Sequence, residues 1–318
     1  MADTKQYVPL FIGKEKMRIS AVIVNYDRPK ETIKCLCSIA SLKVKDGWQL
    51  KTVVIDNSSK KILKGEIKGF SHVKLIETKK NTGFAGGNNI GIKHALKNKA
   101  DFVMLLNNDA EIDKQAMLYL ISAFQKEKNI GIVAPKIYFT SGFEYHKEKY
   151  LKEDLGKVIW YAGGHIDWQN IMGVHENIDK VDKGQFNKPK EVKFISGCCM
   201  LIKKEVFEKV GLLDEKYFLY LEDMDFCTRV EKAGLKLFFE PKAIVWHKNL
   251  GTNKKTASDT QAYYYTRNRL LFAFKYASTR TKAALFRESM KLLVKGNNWQ
   301  KKGVIDFYLG KFGKGNLK

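Results

Sequence analysis

Apolar runs and amphipathic stretches alternate along the first third of the chain. Residues 18–25 (RISAVIVN) form a continuous apolar run rich in β-branched residues, which is typical of a strand buried on both faces. Similar runs at residues 50–56, 72–77 and 101–107 predict three more strands, and Pro29 opens a helical stretch after the first. This alternation predicts an α/β fold with a mostly parallel central sheet and helices on both faces.

The pattern is less regular after residue 110, where long polar loops separate the apolar segments. It predicts four short strands and three helices. The strands lie near residues 158–166, 192–202, 235–240 and 243–246, and the helices span 222–233 and, as a pair, 258–295.

Polar residues and glycines follow four predicted strands in succession. These segments are residues 25–28 (NYDR), 56–59 (DNSS), 81–89 (NTGFAGGNN) and 107–109 (NND). Ligands of open α/β sheets bind at the carboxyl ends of the strands. The sequence therefore predicts a ligand site along this edge.

Three glycines, Gly83, Gly86 and Gly87, precede a predicted helix at residues 88–99. Backbone amides at a helix N-terminus favour an anionic ligand. The glycine spacing matches neither the dinucleotide fingerprint nor the P-loop, which disfavours those two enzyme classes. Taken alone, the segment indicates a tight turn rather than a ligand site.

Two acidic positions are candidates for chemistry. Asp109, at the end of the fourth strand, is suited to bind Mg²⁺ or Mn²⁺. The alternative is that Asp109 or Asp113 caps the helix that follows, and the spacing does not decide between the two. Asp223 shares a helix face with Cys227 and Val230, beside an apolar stripe, which makes it a candidate general base. His247 follows a predicted strand, and on its own it indicates a hydrogen-bonded structural residue.

The amino-acid composition excludes some classes of protein and favours others. The 318 residues are 44% hydrophobic with five prolines, which excludes a disordered or fibrous chain. A net charge of +23 predicts an anionic partner: a nucleic acid, a phosphorylated small molecule or a membrane surface. Five cysteines without a C-x-x-C pair favour a reducing cytoplasm, and no apolar stretch is long enough to predict a transmembrane helix.

The charge is concentrated in residues 250–318, which hold 15 Lys and Arg against three acidic residues. Within this tail, Phe286, Met290, Leu293 and Val294 recur at near-helical spacing. One interpretation is that the apolar stripe packs on the core or on a second subunit of a homodimer. The other is that residues 280–318 make a peripheral contact with an anionic membrane.

Five runs together resemble family-2 glycosyltransferases, most closely the rhamnosyltransferase-like branch. The likeness extends from about residue 17 to residue 275, and its pieces occur in the family's order. The runs are residues 21–26 (AVIVNY), 54–58 (VIDNS), 81–89 (NTGFAGGNN), 105–109 (LLNND) and 220–226 (YLEDMDF).

The resemblance implies a GT-A fold and inverting transfer of a sugar from a nucleotide-diphosphate donor, with Mg²⁺ or Mn²⁺. It divides the chain into an extension at 1–16, a catalytic domain at 17–250 and a basic helical region at 251–318. Within the catalytic domain, residues 17–110 form the nucleotide-sugar-binding half and residues 111–250 the acceptor half. Asp223 matches the family's base, and Asp109 and His247 its metal contacts. The implied donor-binding residues are Asn25, Tyr26, Arg28, Asp56, Gly86, Asn88, Asn107 and Asn108.

The chain departs from the family's Asp-x-Asp motif at Asn107, which removes one charge from the implied metal site. The implied acceptor is a cell-surface polysaccharide or a lipid-linked glycan, and the donor is dTDP-rhamnose or a UDP-sugar. We therefore expect a cytoplasmic hexosyltransferase, peripheral on the inner face of the membrane, with no nucleic-acid partner. The alternatives are a sugar nucleotidyltransferase and a non-catalytic basic protein that binds membranes or nucleic acid.

Overall fold

The computed structural model describes residues 16–316 with the exception of 59, 62 and 251–254, and it describes no side chains at 255–258. The predicted extension at 1–16 lies outside the described residues apart from Lys16. The strands are β1 Met17–Asn25, β2 Trp48–Asp56, β3 Val73–Glu77, β4 Phe102–Leu106, β5 Ala110–Ile112, β6 Ile130–Phe139, β7 Ile159–Tyr161, β8 Gly164–Asp167, β9 Met172–His175, β10 Lys190–Val192, β11 Cys199–Lys203 and β12 Lys236–His247. The α-helices are α1 Pro29–Ala40, α2 Leu63–Glu66, α3 Gly83–Lys97, α4 Ala116–Ala123, α5 Lys204–Val210, α6 Glu222–Lys232, α7 Lys255–Tyr276, α8 Thr279–Lys295 and α9 Asn298–Tyr308.

A mixed sheet in the order β10-β12-β6-β11-β4-β1-β2-β3 forms the centre of the molecule. Strands β3, β2, β1 and β4 run parallel, as the sequence predicts, and β6 and β12 form a second parallel pair. Strand β11 joins the two groups because it runs antiparallel to both β4 and β6. The parallel group places the ends of β1, β2 and β4 side by side, where the polar segments lie.

The second half differs from the sequence predictions in several places. The segment near 158–166 holds two strands, β7 and β8, and the segment near 192–202 spans the end of β10, a loop and most of β11. The segments near 235–240 and 243–246 are one long strand, β12, whose register with β6 shifts between Glu240 and Ile244. The sequence also misses α9, although its capping box is readable: the Asn297 side chain accepts from the Gln300 backbone N–H, and the Gln300 side chain accepts from the Asn297 backbone N–H.

Helix α3 packs closely on β1 because glycines face the strand. A Cβ atom at Gly91 would lie 2.3 Å from Cγ1 of Val22, and one at Gly87 would lie 2.8 Å from Cγ1 of Val24. Any side chain at these positions would push the helix off the sheet. Gly87 and Gly91 therefore allow α3 to pack closely on the sheet.

Where the structure describes it, the basic C-terminal region forms three helices, of which α7 is built into the protein interior. Tyr263, Tyr264, Arg267 and Asn268 on α7 are fully buried. Helix α9 packs along α7, and its Gly303 lies so close that a Cβ atom would be 2.6 Å from the Tyr263 carbonyl oxygen. Among the helices of the described residues, none combines the length and apolarity that a membrane span needs.

Candidate active site

A cavity of about 560 Å³ opens at the carboxyl ends of β1 and β4. It is of the size that small-molecule sites commonly have. Its walls come from strand ends, the start of α3, residues 218–220, α7 and the C-terminal segment. Its lining includes Tyr26, Arg28, Asn57, Phe84, Asn107, Asn108, Asp109, Phe218, Tyr220, His247, Tyr264 and Lys314.

Asp109 lies at the turn between β4 and β5, and no helix follows it directly, so the helix-cap interpretation is wrong for Asp109. The cap-like contact belongs to Asp113, whose side chain accepts a hydrogen bond from the Gln115 backbone N–H at 2.8 Å. Strand β5 pairs antiparallel with β12, and this register sets Ala110 opposite His247. The pairing brings His247 beside Asp109, although 138 residues separate them.

The Asp109 carboxylate, which is 8% exposed, is held by several groups at the cavity wall. His247 Nε2 lies 3.1 Å from Oδ1, the Leu250 backbone N–H donates to Oδ2 at 3.1 Å, and Arg28 Nη1 is 3.6 Å from Oδ2. Burial alone would raise the pKa of Asp109, but the charge and hydrogen bond of His247, then the Leu250 N–H and Arg28, lower it to about 2. Asp109 is therefore ionised at neutral pH.

Asn107, Asp109 and His247, which we call the Asp109 corner, provide some of the ligands that a divalent ion needs. The Asn107 side-chain nitrogen lies 3.4 Å from His247 Nε2, so an amide, an imidazole and a carboxylate converge. Mn²⁺ accepts oxygen and imidazole ligands, whereas Mg²⁺ favours oxygen and retains waters. The described residues contain no cluster of three or more His, Cys, Asp or Glu able to hold a metal, so donor phosphates and water would have to complete the shell.

Two predicted donor-binding residues, Asn25 and Asp56, lie behind the cavity wall. Both are buried, and neither lines the cavity. Asn25 donates to Asp56 Oδ1 at 2.9 Å and to Ser58 Oγ at 2.8 Å, and its own Oδ1 accepts from Thr32. Asn25 therefore ties the loops after β1 and β2 together. Asp56 Oδ2 has no hydrogen-bond partner in the described part of the chain, so its contact with a nucleotide stays a prediction.

The helix after the glycine segment begins at Gly83 rather than at the predicted residue 88, and the donor contacts of Gly86 and Asn88 stay predictions. Helix α3 begins at Gly83, so Gly86 and Asn88 lie inside the helix; both are buried and neither lines the cavity. The Asn88 side chain donates to the Phe84 carbonyl oxygen at 3.0 Å.

The N-terminal amides of α3 are also engaged within the protein. Gly83 N–H donates to Asn81 Oδ1 at 2.8 Å, and the N–H groups of Phe84 and Ala85 donate to the Phe218 carbonyl at 2.7 and 3.3 Å. This helix end therefore offers those amides to residues 81 and 218 rather than to an anion.

Asp223 lies in the first turn of α6, partly exposed, and has two backbone partners that the sequence did not predict. Its Oδ2 accepts from Gly197 N–H at 3.0 Å and its Oδ1 from Met224 N–H at 2.8 Å. Burial raises the pKa of Asp223 above its ordinary value, and these hydrogen bonds act in the opposite direction.

The neighbouring acid, Glu222, has a different environment. It is 5% exposed, and its Oε2 has no partner within the described residues. Burial, and then the charges of Asp223 and Asp225, raise the pKa of Glu222 well above its ordinary value. Since Asp223 accepts from two backbone N–H groups while Glu222 Oε2 has no partner within the described residues, we assign the proton of this pair to Glu222 and the negative charge to Asp223.

One short segment links Asp223 to the Asp109 corner. Gly197 N–H donates to Asp223, and the next residue, Cys198, accepts a hydrogen bond at its carbonyl oxygen from Asn107 N–H at 2.8 Å. Strand β11, which begins at Cys199, pairs with β4 and fixes this segment. Two adjacent residues, Gly197 and Cys198, therefore contact Asp223 and the turn after β4.

Sequence analysis missed the loop before α6. Phe218, Tyr220 and Leu221 have φ values of 65°, 69° and 68° without being glycine. Each such residue costs on the order of 1–3 kcal/mol and persists only where the surroundings hold it. No local sequence signal marks these positions, because turn-forming residues such as glycine and asparagine are absent from them.

Comparison with known proteins identifies the family. The family model "Glycosyl transferase family 2" matches residues 20–211, which is more than half of the chain. The chain belongs to glycosyltransferase family 2. This glycosyltransferase is 29% identical over 256 residues to a low-salt glycan biosynthesis hexosyltransferase of Haloferax volcanii, covering 80% of the chain and 74% of that protein. It is also 27% identical over 260 residues to a dTDP-rhamnosyl transferase of Shigella flexneri, covering 80% and 79% respectively.

A solved structure, GalNAc-T7 with UDP, GalNAc and Mn²⁺, superposes on 93% of this glycosyltransferase with a TM-score of 0.58. The two sequences are 17% identical, and the match spans 58% of the solved chain's length. At that identity the likeness shows the fold alone. It confirms the predicted GT-A fold, while the relatives confirm the rhamnosyltransferase-like branch.

Proposed function

We propose that the protein is an inverting glycosyltransferase that moves a sugar from a nucleotide-diphosphate donor to a hydroxyl of a cell-surface polysaccharide or lipid-linked glycan. The observation that supports the proposal is the Gly197–Cys198 segment, because Gly197 N–H donates to Asp223 and the Cys198 carbonyl oxygen accepts from Asn107 N–H. Asp223 itself does not line the cavity, but the residues that lead into its helix do. The relative named as a dTDP-rhamnosyl transferase makes dTDP-rhamnose the first donor to test, with UDP-sugars second.

Asp223 acts as the general base in this proposal. Its pKa is raised by burial, so it accepts the proton of the acceptor hydroxyl more readily than an ordinary aspartate. The hydrogen bonds from Gly197 and Met224 fix the carboxylate's orientation. A single base that activates a hydroxyl for attack from the far side of the sugar inverts the anomeric configuration, with no second carboxylate needed as nucleophile.

Charge beside Asp109 stabilises the leaving group in this proposal. Asp109 and His247, with Asn107 beside them, are the residues that would hold Mg²⁺ or Mn²⁺. The ion, when bound, would supply positive charge to the leaving diphosphate. Arg28 adds a cation of the protein's own, because its guanidinium lines the cavity and is oriented by the Leu250 carbonyl oxygen at 3.0 Å.

The reaction product tests this proposal against its nearest enzymatic alternative. We expect that a nucleotide sugar, screened with Mg²⁺ or Mn²⁺, is converted with release of nucleoside diphosphate, and that dTDP-rhamnose gives the fastest turnover. A sugar nucleotidyltransferase would instead release pyrophosphate from a nucleoside triphosphate and a sugar phosphate. Binding of DNA with a steep salt dependence, without turnover of any nucleotide sugar, would contradict the transferase assignment.

The acceptor side of the proposal includes a membrane contact. On α8, Phe286, Met290 and Val294 are 48%, 36% and 74% exposed; Tyr308, the last residue of α9, is 43% exposed, and Leu309, which follows the helix, is 61% exposed. We call these five residues the α8–α9 surface. Phe286 contacts Tyr308, so the two helices present their apolar residues together. The interpretation that the whole stripe packs on the core is therefore wrong, although Leu293 does pack there.

Basic residues accompany this surface: Arg287, Lys291 and Lys295 on α8 are exposed. Apolar side chains flanked by cations suit the headgroup region of an anionic leaflet. In this proposal the glycosyltransferase acts in the cytoplasm, at the inner face of the membrane, where a lipid-linked acceptor is accessible.

Vesicle binding tests the α8–α9 surface. Deletion after residue 280 would remove the buried Leu285 and Val304, so point substitutions are the better test. We expect Val294→Ser with Leu309→Ser to lower binding to phosphatidylserine vesicles. Replacing Lys291 and Lys295 by Gln should cost roughly 1 kcal/mol for each charge.

The control is Val44→Ser, at a valine that is 37% exposed outside the surface. It should bind vesicles like the wild type, and binding should fall with salt. If the surface variants bind equally well, or if they only convert a dimer into a monomer, the surface is not a membrane contact.

A further inference from the structure

The loop at residues 216–221 leads directly into the helix that carries Asp223 and also forms part of the cavity wall. Phe218, Leu219 and Tyr220 line the cavity, while three of the loop's residues adopt left-handed backbone conformations. The Phe218 carbonyl oxygen also accepts from the first amides of α3. The conformation of this loop therefore determines both the wall of the cavity and the start of α6.

One side chain of α7 binds this loop at three points. Asn268 Nδ2 lies 2.9 Å from the Tyr217 carbonyl oxygen, 2.9 Å from that of Leu219 and 2.8 Å from that of Tyr220. Asn268 has no exposed surface. Its amide therefore satisfies carbonyl groups that the left-handed turns direct inward and leave without a strand or helix partner.

Arg267 fixes the orientation of that amide. Arg267 Nε donates to Asn268 Oδ1 at 3.0 Å, which directs the nitrogen of the amide toward the loop. Arg267 also donates to the carbonyl oxygens of Lys216 and Tyr217 and, on its other side, to those of Lys311 and Gly313. Arg267 thus joins the loop to the C-terminal segment, whereas every Asn268 Nδ2 contact goes to the loop.

We propose that Asn268, oriented by Arg267, is a positioning residue for the transfer reaction. It holds residues 217–220 in the conformation that aims Asp223 and shapes the cavity wall beside the reacting sugar. The inference rests on the proposed function of Asp223 as the base. Asn268 does not itself line the cavity, so it acts through the loop residues whose carbonyl oxygens it binds.

The alternative is that Asn268 only attaches α7 to the rest of the protein. The two roles predict different kinetics. A purely structural residue lowers the stability and the amount of active protein, and leaves the turnover of the folded fraction unchanged. A positioning residue lowers turnover in the folded fraction, because small misplacement of a catalytic group costs up to about 100-fold in rate.

The test uses the full-length protein and the donor that the screen identifies, with dTDP-rhamnose as the first probe. We expect Asn268→Ala to lower kcat about 100-fold while KM for the donor changes by less than about threefold. The matched control is Ser289→Ala, which removes a buried hydroxyl that joins α8 to α9 through Tyr308, away from the loop. It should lose stability but retain kcat.

A double substitution separates positioning from a general loss. If Asn268 acts through Asp223, then Asp223→Asn with Asn268→Ala should be no slower than Asp223→Asn alone, since the base is already absent. Additive losses, or an Asn268→Ala variant with wild-type kcat, would overturn the proposal. Absence of turnover in the wild type with every donor would instead contradict the proposed function itself.

A second variant covers the case in which Asn268→Ala does not fold. Asn268→Asp keeps the shape of the side chain and gains a charge partner in Arg267, but it replaces the N–H donors by an acceptor facing three carbonyls. We expect the same loss of kcat. A folded Asn268→Asp with normal turnover would show that the loop does not depend on this residue.

Discussion

Replacing Asp223 by Asn should lower the rate of sugar transfer by roughly 10²–10⁴-fold, which is the contribution of a positioned general base. Asparagine keeps the shape of the side chain and an oxygen that accepts one of the N–H groups of Gly197 and Met224. The fold and donor affinity should therefore persist, and the loss should appear in kcat. Steady-state kinetics with calorimetric donor titration measures both quantities.

The neighbouring acid provides a matched control. Glu222→Gln imitates the protonated form that burial and the charges of Asp223 and Asp225 impose on Glu222. We therefore expect it to transfer sugar at close to the wild-type rate. Normal turnover in Asp223→Asn together with loss in Glu222→Gln would exchange the roles of the two acids.

The dependence of kcat on pH should also reflect the ionisation of Asp223. Transfer requires ionised Asp223, and burial raises its pKa above 3.8, so wild-type kcat should fall as the pH drops through that raised pKa. This acid limb should disappear from the residual activity of Asp223→Asn. An acid limb that persists unchanged in the variant would belong to another group.

Replacing Asp109 by Ala should abolish the metal-dependent part of donor binding. Asp109 supplies the one carboxylate at the turn after β4, and Asn107 has no charge to replace it. The loss should exceed the roughly 10–100-fold that removal of an outer-sphere partner costs. His247→Ala should weaken binding less, because the Asp109 charge remains. Calorimetry with Mn²⁺ and the nucleotide sugar measures the effect.

Two further variants control for structure. Asp109→Asn retains the side-chain shape but lacks the charge that His247, Leu250 and Arg28 stabilise, and it should lose metal-dependent binding as the alanine does. Asp113→Asn changes an acid four residues away whose side chain accepts a hydrogen bond from the Gln115 N–H, and it should bind normally. Donor binding by the wild type that is independent of divalent ions would contradict the assignment of both Asp109 and His247.

The sequence predicted the strand edge well because each element there is local. The apolar runs that become β1, β2, β3 and β4 are each continuous in sequence, and the polar residues that follow them read as strand ends. Predictions that depended on the packing between elements fared differently. The glycine segment, taken alone, predicted a tight turn before a helix at residue 88, but it forms the first turns of α3, whose leading amides donate to the carbonyl oxygen of residue 218.

The sequence also did not predict which of the strand-end side chains are buried. Asn25 and Asp56 stand at strand ends like Asn107 and Asp109, yet the first pair is sealed behind the wall and the second pair lines the cavity. Whether a strand-end residue faces the cavity depends on the loop that covers it and on its hydrogen-bond partners. Those partners come from residues 31 to 33 positions away in the case of Asn25.

By itself, the sequence determined the α/β class, the family and the candidate acids, because hydrophobic runs and short motifs are properties of neighbouring residues. Only the tertiary structure decided that His247 meets Asp109, that Gly197 holds Asp223 and that Asn268 secures the loop before α6. These contacts join residues 138, 26 and 48 positions apart. They depend on strand register and helix packing, which no local pattern along the chain specifies.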